Sequence, residues 1–498
     1  MPSPLSIYIL HKNTMPSIND ILSKNDFSQV VSTLCTDSIE NRCPREYYNE
    51  YHGDRHRRKT SVGWREPKRM AVYSETLKDS KGNPLRLPDK IVDVARISTN
   101  FPKKVVRTST AFLFGGDMKI TASDYNDGFQ EFKRVWTRKL KMQSVLKTFT
   151  RKVLSESKAA MIFYPTVSRQ IDGSPNTELK VNILSVPRNE NTVSDFYPHF
   201  NDDNDLDAFI HKYQVIVDGM IRESCTLWTN DKIIYAVYDS GWTLKEVPNL
   251  FKKIPVVYGD IYYPELDDVA DVMDAREMRL SRIHDTNDYY SEPILKTIDM
   301  ADLPSKETVG KEIAFSSKID PTTGNLIHGD AEYLTWQQSI DSITKELDEM
   351  KDEQYSGTST PDFSFNNMKG IGNLSGVARK FMTIDATIKA SDNMEVFGPV
   401  VQRSVAVVLA GICNITNIKY RSQLINNQID VEFGSILPDD LSETLQNLSI
   451  ANGGKSINSQ RTVTANSPFT NDIDEEIRQM EDEAESNAQR NNMVGLTM

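Results

Sequence analysis

Apolar and polar positions along the chain fall into two regimes, and the change comes near residue 260. From Ile91 to Val106 the spacing of Ile91, Val92, Val94, Ala95 and Ile97 predicts a helix running toward Asn100-Phe101-Pro102. A second apolar-faced segment, Lys103 to Phe114, follows and stops at Gly115-Gly116. Phe129, Phe132, Trp136, Leu140, Val145, Leu146, Phe149 and Val153 keep helical spacing to Ser157. After them, Ala159 to Tyr164 and Leu179 to Leu184 read as strands. Tyr213–Val217, Cys225–Thr229, Lys232–Tyr238 and Gly241–Val247 are short, β-branched or aromatic, and separated by Asn230-Asp231 and Asp239-Ser240-Gly241. An antiparallel meander follows, which makes residues 1–260 an α+β unit.

Beyond Ile254-Pro255-Val256-Val257 the pattern becomes helical and charged. Pro264, Glu265, Asp267 and Asp268 suit a helix start, where the macrodipole favours acids. Leu266, Val269, Met273, Leu280 and Ile283 give one narrow stripe, which Pro293 ends. At about 1.5 Å per residue this is a rod of about 40 Å. A second rod, Gln337 to Tyr355, has Ile340, Ile343, Leu347 and Met350 on one face and Asp341, Lys345, Glu346, Glu349 and Asp352 elsewhere. Stripes so narrow pack against neighbours and do not sit inside a thick core, although an ordinary helical hairpin has the same pattern.

Between the rods, Ile313-Ala314-Phe315 and Leu326-Ile327 flank the turn Asp320-Pro321-Thr322-Thr323-Gly324-Asn325, which reads as a small insertion. Ser356 to Leu374 is rich in Ser, Thr, Gly and Asn and has no apolar period, so it is a functional loop or a disordered one. Ser375 is placed to cap a helix with stripe Val377, Phe381, Ile384 and Ile388, expected to kink at Gly398-Pro399 and end near Ile412. Asp439–Leu448 and Asp472–Asn487 are acid-headed helices, and the last ten or so residues are expected to fray.

Composition narrows the class. The 498 residues allow several domains, and 38% hydrophobic with 26% charged residues suits a chain with much wetted surface. Cys35, Cys43, Cys225 and Cys413 are too scattered for a disulfide framework or a zinc site, and read as thiols of a reducing compartment. Met1 to Leu10 carry no charge, so the basic region of an export signal is missing, and Met-Pro-Ser recurs at Met15, an alternative start. Val400 to Ile415 is broken by Gln402-Arg403-Ser404 and is too short for the ~30 Å of a bilayer core, so no membrane is expected.

The formal net charge is −12, unevenly spread. Residues 1–110 hold 19 Lys/Arg against 12 Asp/Glu, and residues 431–498 hold 4 against 12. Arg55, Arg57, Arg58, Lys59, Arg65, Lys68 and Arg69, with Trp64 among them, read as a solvated arm or protein contact in preference to a nucleic-acid patch. An acidic chain grips phosphates poorly, yet it can surround DNA.

Catalytic and binding motifs fail on inspection. Asn452-Gly453-Gly454-Lys455-Ser456 lacks the first glycine of a phosphate loop, and Gly370, Gly372 and Gly376 have the wrong spacing for a dinucleotide site. Asp203, Asp205 and Asp207 start like a calcium loop, but Ala208 and Gln214 replace its glycine and bidentate Glu, leaving a solvated turn. His52 and His56 lack the Glu of a zinc helix. Ser155-x-x-Lys158 and Ser342-x-x-Lys345 read as helix-surface pairs. No catalytic residue, metal ligand or cofactor site is expected, and the chain does not read as an enzyme.

The order of these parts, from Asn100 to Asn487, resembles the portal (head-tail connector) proteins of tailed double-stranded DNA phages. The residues that carry the resemblance are Asn100-Phe-Pro-Lys-Lys-Val-Val-Arg, Phe112-Leu-Phe-Gly-Gly-Asp-Met-Lys-Ile and Lys253-Ile-Pro-Val-Val-Tyr, then Glu292-Pro293-Ile294-Leu295, Gly372-Asn-Leu-Ser-Gly-Val-Ala and Ile457-Asn-Ser-Gln-Arg-Thr. The resemblance implies an α+β, multi-domain, portal-like subunit. Its parts would be a wing (1–264, with an N-terminal arm), stem helices (265–292 and 337–355), a clip (293–336), a tunnel loop (356–374), a long kinked wing-spanning helix (375–412) and a C-terminal helical crown (413–498).

It further implies a homo-oligomeric ring, usually of twelve copies, at one capsid vertex of a virion assembled in the host cytoplasm. Double-stranded DNA would pass through it in packaging and ejection. Partners would be terminase, head-completion adaptor proteins, and the major capsid or scaffold protein. Under this reading Lys369, Asn366, Asn367 and Asn373 face the DNA tunnel, and Lys306, Lys311 and Lys318 are candidates for terminase docking, though they read equally as solvated surface. Another head-tail assembly protein and a virion-associated enzyme are the alternatives.

Overall fold

The computed structural model describes residues 17–495 other than 25, 37–43, 53–64, 117, 170–172, 186–193, 292–293, 299–317, 320, 325, 328–329, 335–339, 365–380, 435–440, 453–457, 466, 468 and 471–472. Two short helices open it, α1 (Ile18–Lys24) and α2 (Phe27–Leu34). Asp26 and Gln29 form a capping box on α2. Ile18, Ile21, Val30, Val31 and Leu34 pack on one face of a five-stranded sheet described below. After α3 (Pro44–His52), β1 (Lys68–Lys78) and β2 (Pro84–Val92) form an antiparallel hairpin. Ile91 and Val92 therefore end a strand, and the expected helix over 91–106 begins only at α4 (Phe101–Phe114). Pro102 in its first turn fixes that start, because the backbone of residues 95–99 is committed elsewhere. Arg65, Lys68 and Arg69 of the basic run sit on or beside the hairpin, while Arg55, Arg57, Arg58, Lys59 and Trp64 lie outside the described residues.

β3 (Met118–Ala122) leads to α5 (Asp127–Arg134), a π-helical turn at Val135–Lys139, and α6 (Met142–Glu156). The single helix expected over 129–157 is thus broken, at Lys141 with φ 51°. The break lets Phe129, Phe132, Trp136, Leu146, Phe149 and Val153 all reach one core. β4 (Lys158–Arg169) and β5 (Pro175–Leu184) follow as the strand pattern predicts. β6 (Ser194–Phe200) is not expected from that pattern, whereas β7 (Leu206–Val217), β8 (Met220–Trp228), β9 (Lys232–Tyr238) and β10 (Trp242–Pro248) are; together they form an antiparallel meander in the order β10-β9-β8-β7-β6. β11 (Val256–Asp260) pairs with β4, whose alternate residues face two cores. Met161 and Phe163 join the helices, and Ala160 joins Phe209, Trp228 and Ile254 under the meander.

Three motif readings change here. Asp207 accepts the Ile18 N–H at 2.6 Å and so ties α1 to the meander instead of sitting in a solvated turn. Ser155 and Lys158 are buried, 3% and 1% exposed, because the helix ends between them and the chain enters β4. His52 packs tilted against Tyr48 and edge-on against Tyr51, and His56 lies outside the described residues.

A 3-10 turn, Asp267–Val269, precedes the first rod, α7 (Ala270–Ser291). β12 (Ile294–Ile298) pairs with β15 (Asp330–Leu334), and β13 (Lys318–Ile319) with β14 (Leu326–Ile327). Ile313-Ala314-Phe315 lies outside the described residues. The second rod, α8 (Ile340–Gly357), packs along α7. The long helix α9 (Ile384–Gly411) contains Pro399 and runs into a π turn at Ile412–Thr416.

Ser375 and Val377 are not among the described residues, and the rest of the expected stripe is exposed: Phe381 66%, Ile384 47% and Ile388 55%. The buried face is Ala386 with Phe397, Val400, Val401, Val405 and Val408, because only the C-terminal half of α9 enters the main core. Residues 384–416 are long and apolar enough to span a bilayer, contrary to the length argument, but half of that apolar window is buried inside the protein. α10 (Arg421–Leu424) and β16 (Ile429–Phe433), paired with β3, complete this core. α11 (Leu441–Asn452), α12 (Gln460–Ala465) and α13 (Ile473–Gly495) form the C-terminal region, with α13 running into the stretch expected to fray.

Candidate functional site at the rod base

The rods join the body through a polar ladder. Glu277, Ser281 and Asp285 stand four residues apart on α7, hence on one face. Residues 99, 97 and 95 run antiparallel to them in extended chain. Thr99 N–H donates to Glu277 Oε1 at 2.5 Å, Ile97 N–H to Ser281 Oγ at 2.9 Å and Ala95 N–H to Asp285 Oδ1 at 2.8 Å. The repeats match because four helical residues rise about 6 Å and two extended residues about 6.6 Å. Arg65 pairs with Asp285 and also donates to the Ala95 carbonyl at 3.0 Å. The Asp285 carboxyl stays below its ordinary pKa: burial pushes it up, but the Ala95 N–H, Arg65 and Lys68 pull it down further. Glu277 and Ser281 are buried, and nothing in a narrow apolar stripe announces that their partners are backbone.

A small apolar cluster, Phe101, Val105, Leu266, Val269 and Met273, with Tyr355 against it, seals the rod base. Glu265, expected at the head of the helix, instead accepts from Ser109 Oγ (2.6 Å), Asn393 Nδ2 (2.8 Å) and Lys389 Nζ (3.2 Å). Lys389 also donates to the Thr358 carbonyl at 2.7 Å. Burial pulls its pKa down, which Glu265 counters only in part. One carboxylate therefore ties together α4, the rod base and α9.

Where α8 ends, the Ser/Thr-rich loop starts on fixed ground. Thr360 N–H donates to the Tyr355 carbonyl at 2.9 Å, and the Thr358 and Thr360 hydroxyls meet at 3.0 Å. Asp362 takes Lys104 on Oδ1 and Lys351 on Oδ2, each at 3.0 Å, and its Oδ1 also accepts the Ser364 N–H. Lys104 further donates to the Tyr355 hydroxyl at 2.6 Å. Burial raises the Asp362 carboxyl, but Lys351, Lys104 and the Ser364 N–H overcome it and hold it well below the carboxylate range. The Lys351 ammonium is raised chiefly by Asp362, while burial lowers Lys104 and its bonds to Tyr355 and Asp362 bring it up overall.

Beside this root lies a pocket of about 610 Å³ walled by Lys103, Lys104, Arg107, Arg276, Lys351 and Tyr355. A second pocket, of about 740 Å³, lies by the π turn of 135–139, and its main charges are already paired as Arg134–Glu131 and Lys139–Glu178. Among the described residues no group of three or more His, Cys, Asp or Glu could hold a metal ion. Asn366, Asn367, Lys369 and Asn373, and Lys306 and Lys311, lie outside the described residues. Lys318 is in β13, opposite Ile327.

These observations define a class: an α+β body carrying a clamped pair of helical rods with a small β insertion between them and a Ser/Thr-rich loop after them. The family model described as phage portal protein, SPP1 Gp6-like, matches residues 86–490, and the chain belongs to that family. It is thus a phage portal protein, and the family is a structural one. Among solved structures, a chain from the neck of an empty gene transfer agent particle computed with C6 symmetry is similar at 10% identity and TM-score 0.39, over 73% of this chain and 89% of that one. A chain from the virion of a native gene transfer agent particle is similar at 9% identity and TM-score 0.38, over 73% of this chain and 88% of that one. The comparison with curated proteins gives no match.

Proposed function

We propose that twelve copies of this chain form a ring at one capsid vertex, through which double-stranded DNA is packaged and later ejected. The family match carries this reading, since it runs from β2 through both rods, the insertion and the loop to α13. In the proposed ring the rods are the stem around the channel. The insertion 293–336 docks terminase during packaging and adaptor proteins afterwards, with Lys306, Lys311 and Lys318 as contacts. The body and C-terminal helices meet the major capsid or scaffold protein.

Electrostatics favours such a conduit. Twelve chains at −12 each carry −144 formal charges, and an acidic wall repels phosphates, so DNA slides without sticking. The loop needs reach and little bulk, which its Ser, Thr, Gly and Asn supply. Lys369 is its one cation, and with Asn366, Asn367 and Asn373 it brushes the DNA backbone. A Lys369→Ala particle that packages at the normal rate and length removes that role.

Mass and symmetry test the ring, by light scattering and negative-stain imaging of the purified protein and of protein released from particles. A ring with a hole wider than the roughly 20 Å duplex is the expected result. A compact closed dimer refutes the reading.

A further inference from the structure

The pocket beside the loop root holds more positive charge than the described residues neutralise. Asp362 engages Lys104 and Lys351, while Lys103, Arg107 and Arg276 have no carboxylate partner among the described residues. Arg276 donates one Nη1 bond, at 3.2 Å, to Gln354 Oε1, and its buried Nε has no partner among the described residues. Gln354 is wholly buried, and its Nε2 also lacks an acceptor. Like charges gathered in one concavity repel, and unspent donors behind them add to the demand for an anion. Carboxylates, which accept in pairs, match guanidinium and ammonium groups so arranged.

The same rod carries the complement. Asp267, Asp268 and Asp271 are exposed at its base and make no ion pair among the described residues. Burial and the charges of Asp268 and Asp271 together raise the Asp267 carboxyl, as in an acid cluster that lacks a cation. Five residues separate Asp271 from Arg276, which is about 140° around the helix and about 7.5 Å along it. The acids and the pocket thus lie on different faces of the rod base, the acids offset from Arg276 by about 8 to 14 Å toward its start. In a closed ring with head-to-tail contacts, each copy presents one face to a different face of the next.

We infer that Asp267, Asp268 and Asp271 of one copy dock into the pocket of Lys103, Arg107 and Arg276 on the neighbouring copy, a subunit contact at the rod base. The contact rests on the ring reading and deepens it. It sets the loop roots of adjacent copies side by side, because Lys351, Tyr355 and Lys104 belong to both the pocket and the root.

The test uses the full chain and three variants, each checked for native circular dichroism. Lys103→Gln with Arg107→Gln disables the pocket through two side chains with no carboxylate partner among the described residues. Asp267→Asn, Asp268→Asn and Asp271→Asn together disable the acids. Each is expected to need at least about tenfold more protein to form rings, as loss of one side of an interfacial charge pair does. An equal mixture of the two is expected to stop at heterodimers, since one intact junction forms and both outer edges are dead. A third variant with the charges exchanged, Lys103→Glu and Arg107→Glu with Asp268→Lys and Asp271→Lys, is expected to restore rings. Disabled variants that close rings at wild-type concentration overturn the contact and leave the portal reading intact. Pocket variants that assemble normally but lose binding of a short DNA duplex assign the pocket to phosphate instead. A wild-type chain that forms only a closed dimer overturns the portal reading itself.

Discussion

Asp362→Asn tests how firmly the loop root is held. The substitution keeps the side-chain size and an oxygen for the Ser364 N–H, but removes the charge shared by Lys104 and Lys351. The carboxylate is 12% exposed and the two lysines 34% and 33%, so the pairs lie between buried and surface cases. Breaking a buried pair costs about 3–5 kcal/mol and a surface pair about 0–1. For two half-wet pairs losing one shared partner, about 2 kcal/mol is expected. That penalty falls on local opening of residues 358–364, where Thr360 N–H is bound to the Tyr355 carbonyl. Global unfolding is a poor readout, because a chain with four separate apolar clusters among its described residues need not unfold in one step.

Amide hydrogen exchange read by mass spectrometry is the direct assay. At about 1.36 kcal/mol per tenfold, protection of residues 358–364 should fall by about 30-fold, while the strands β7 to β9 stay unchanged. The pH dependence is a second check. The folded carboxyl lies below its ordinary value of 3.8, so its contribution is complete above that value and is lost as pH falls through the folded one. The gap between variant and wild type should therefore hold from about pH 8 to about pH 5 and close only below about pH 4. Protection unchanged within about threefold, or a gap that closes between about pH 7 and pH 5, refutes the assignment.

Three further outcomes follow from single residues. Gly357→Ala puts a Cβ 2.9 Å from Val269 Cγ1, a stiff side chain 2% exposed, and should destabilise the rod base by about 1–3 kcal/mol, seen as faster exchange at 266–273. His211 is half-buried, its Nε2 lies 2.9 Å from Ser194 Oγ, and desolvation pushes it down from 6.5 to about 4. Its protonation favours the unfolded chain, so stability of the meander should fall by about 1 kcal/mol between about pH 7 and 5.5, and His211→Gln should remove that slope in urea titrations. The thiol of Cys225 is pushed up to about 12 by burial, so iodoacetamide at pH 8 should label it only after the protein is unfolded.

What the sequence disclosed and what it hid follow from how each element is held. The meander was legible because its strands alternate and its turns are marked by Asn230-Asp231 and Asp239-Ser240-Gly241. Both rods were legible from their stripes, α7 and α8 ending within two residues of the expected bounds. β1 and β2 were missed because the hairpin is exposed on both faces and so needs no apolar alternation. β3 was missed because its partner β16 lies some 300 residues away, beyond the reach of any local pattern. The break at Lys141 was missed because a helical stripe can continue in phase across a π turn. At the rod base, Glu277, Ser281 and Asp285 were not singled out, although their four-residue spacing was the available signal.

That ladder also explains how rods with so little apolar surface keep their register. Apolar contact is non-directional, and a rod sealed only by Leu266, Val269 and Met273 could slip along its neighbour at small cost. A slip of one residue turns the helix by about 100° and carries all three acceptors away from Thr99, Ile97 and Ala95. The buried carboxylate and hydroxyl would then lose their donors, at about 1–3 kcal/mol each and more for the charged groups. Register is thus fixed by polar groups at the base, while the upper rod rests on half-exposed pairs such as Arg279–Glu346 that re-form easily after a shift. A rod rigid at its root and compliant beyond it holds residues 358–364 in place while its far end can shift.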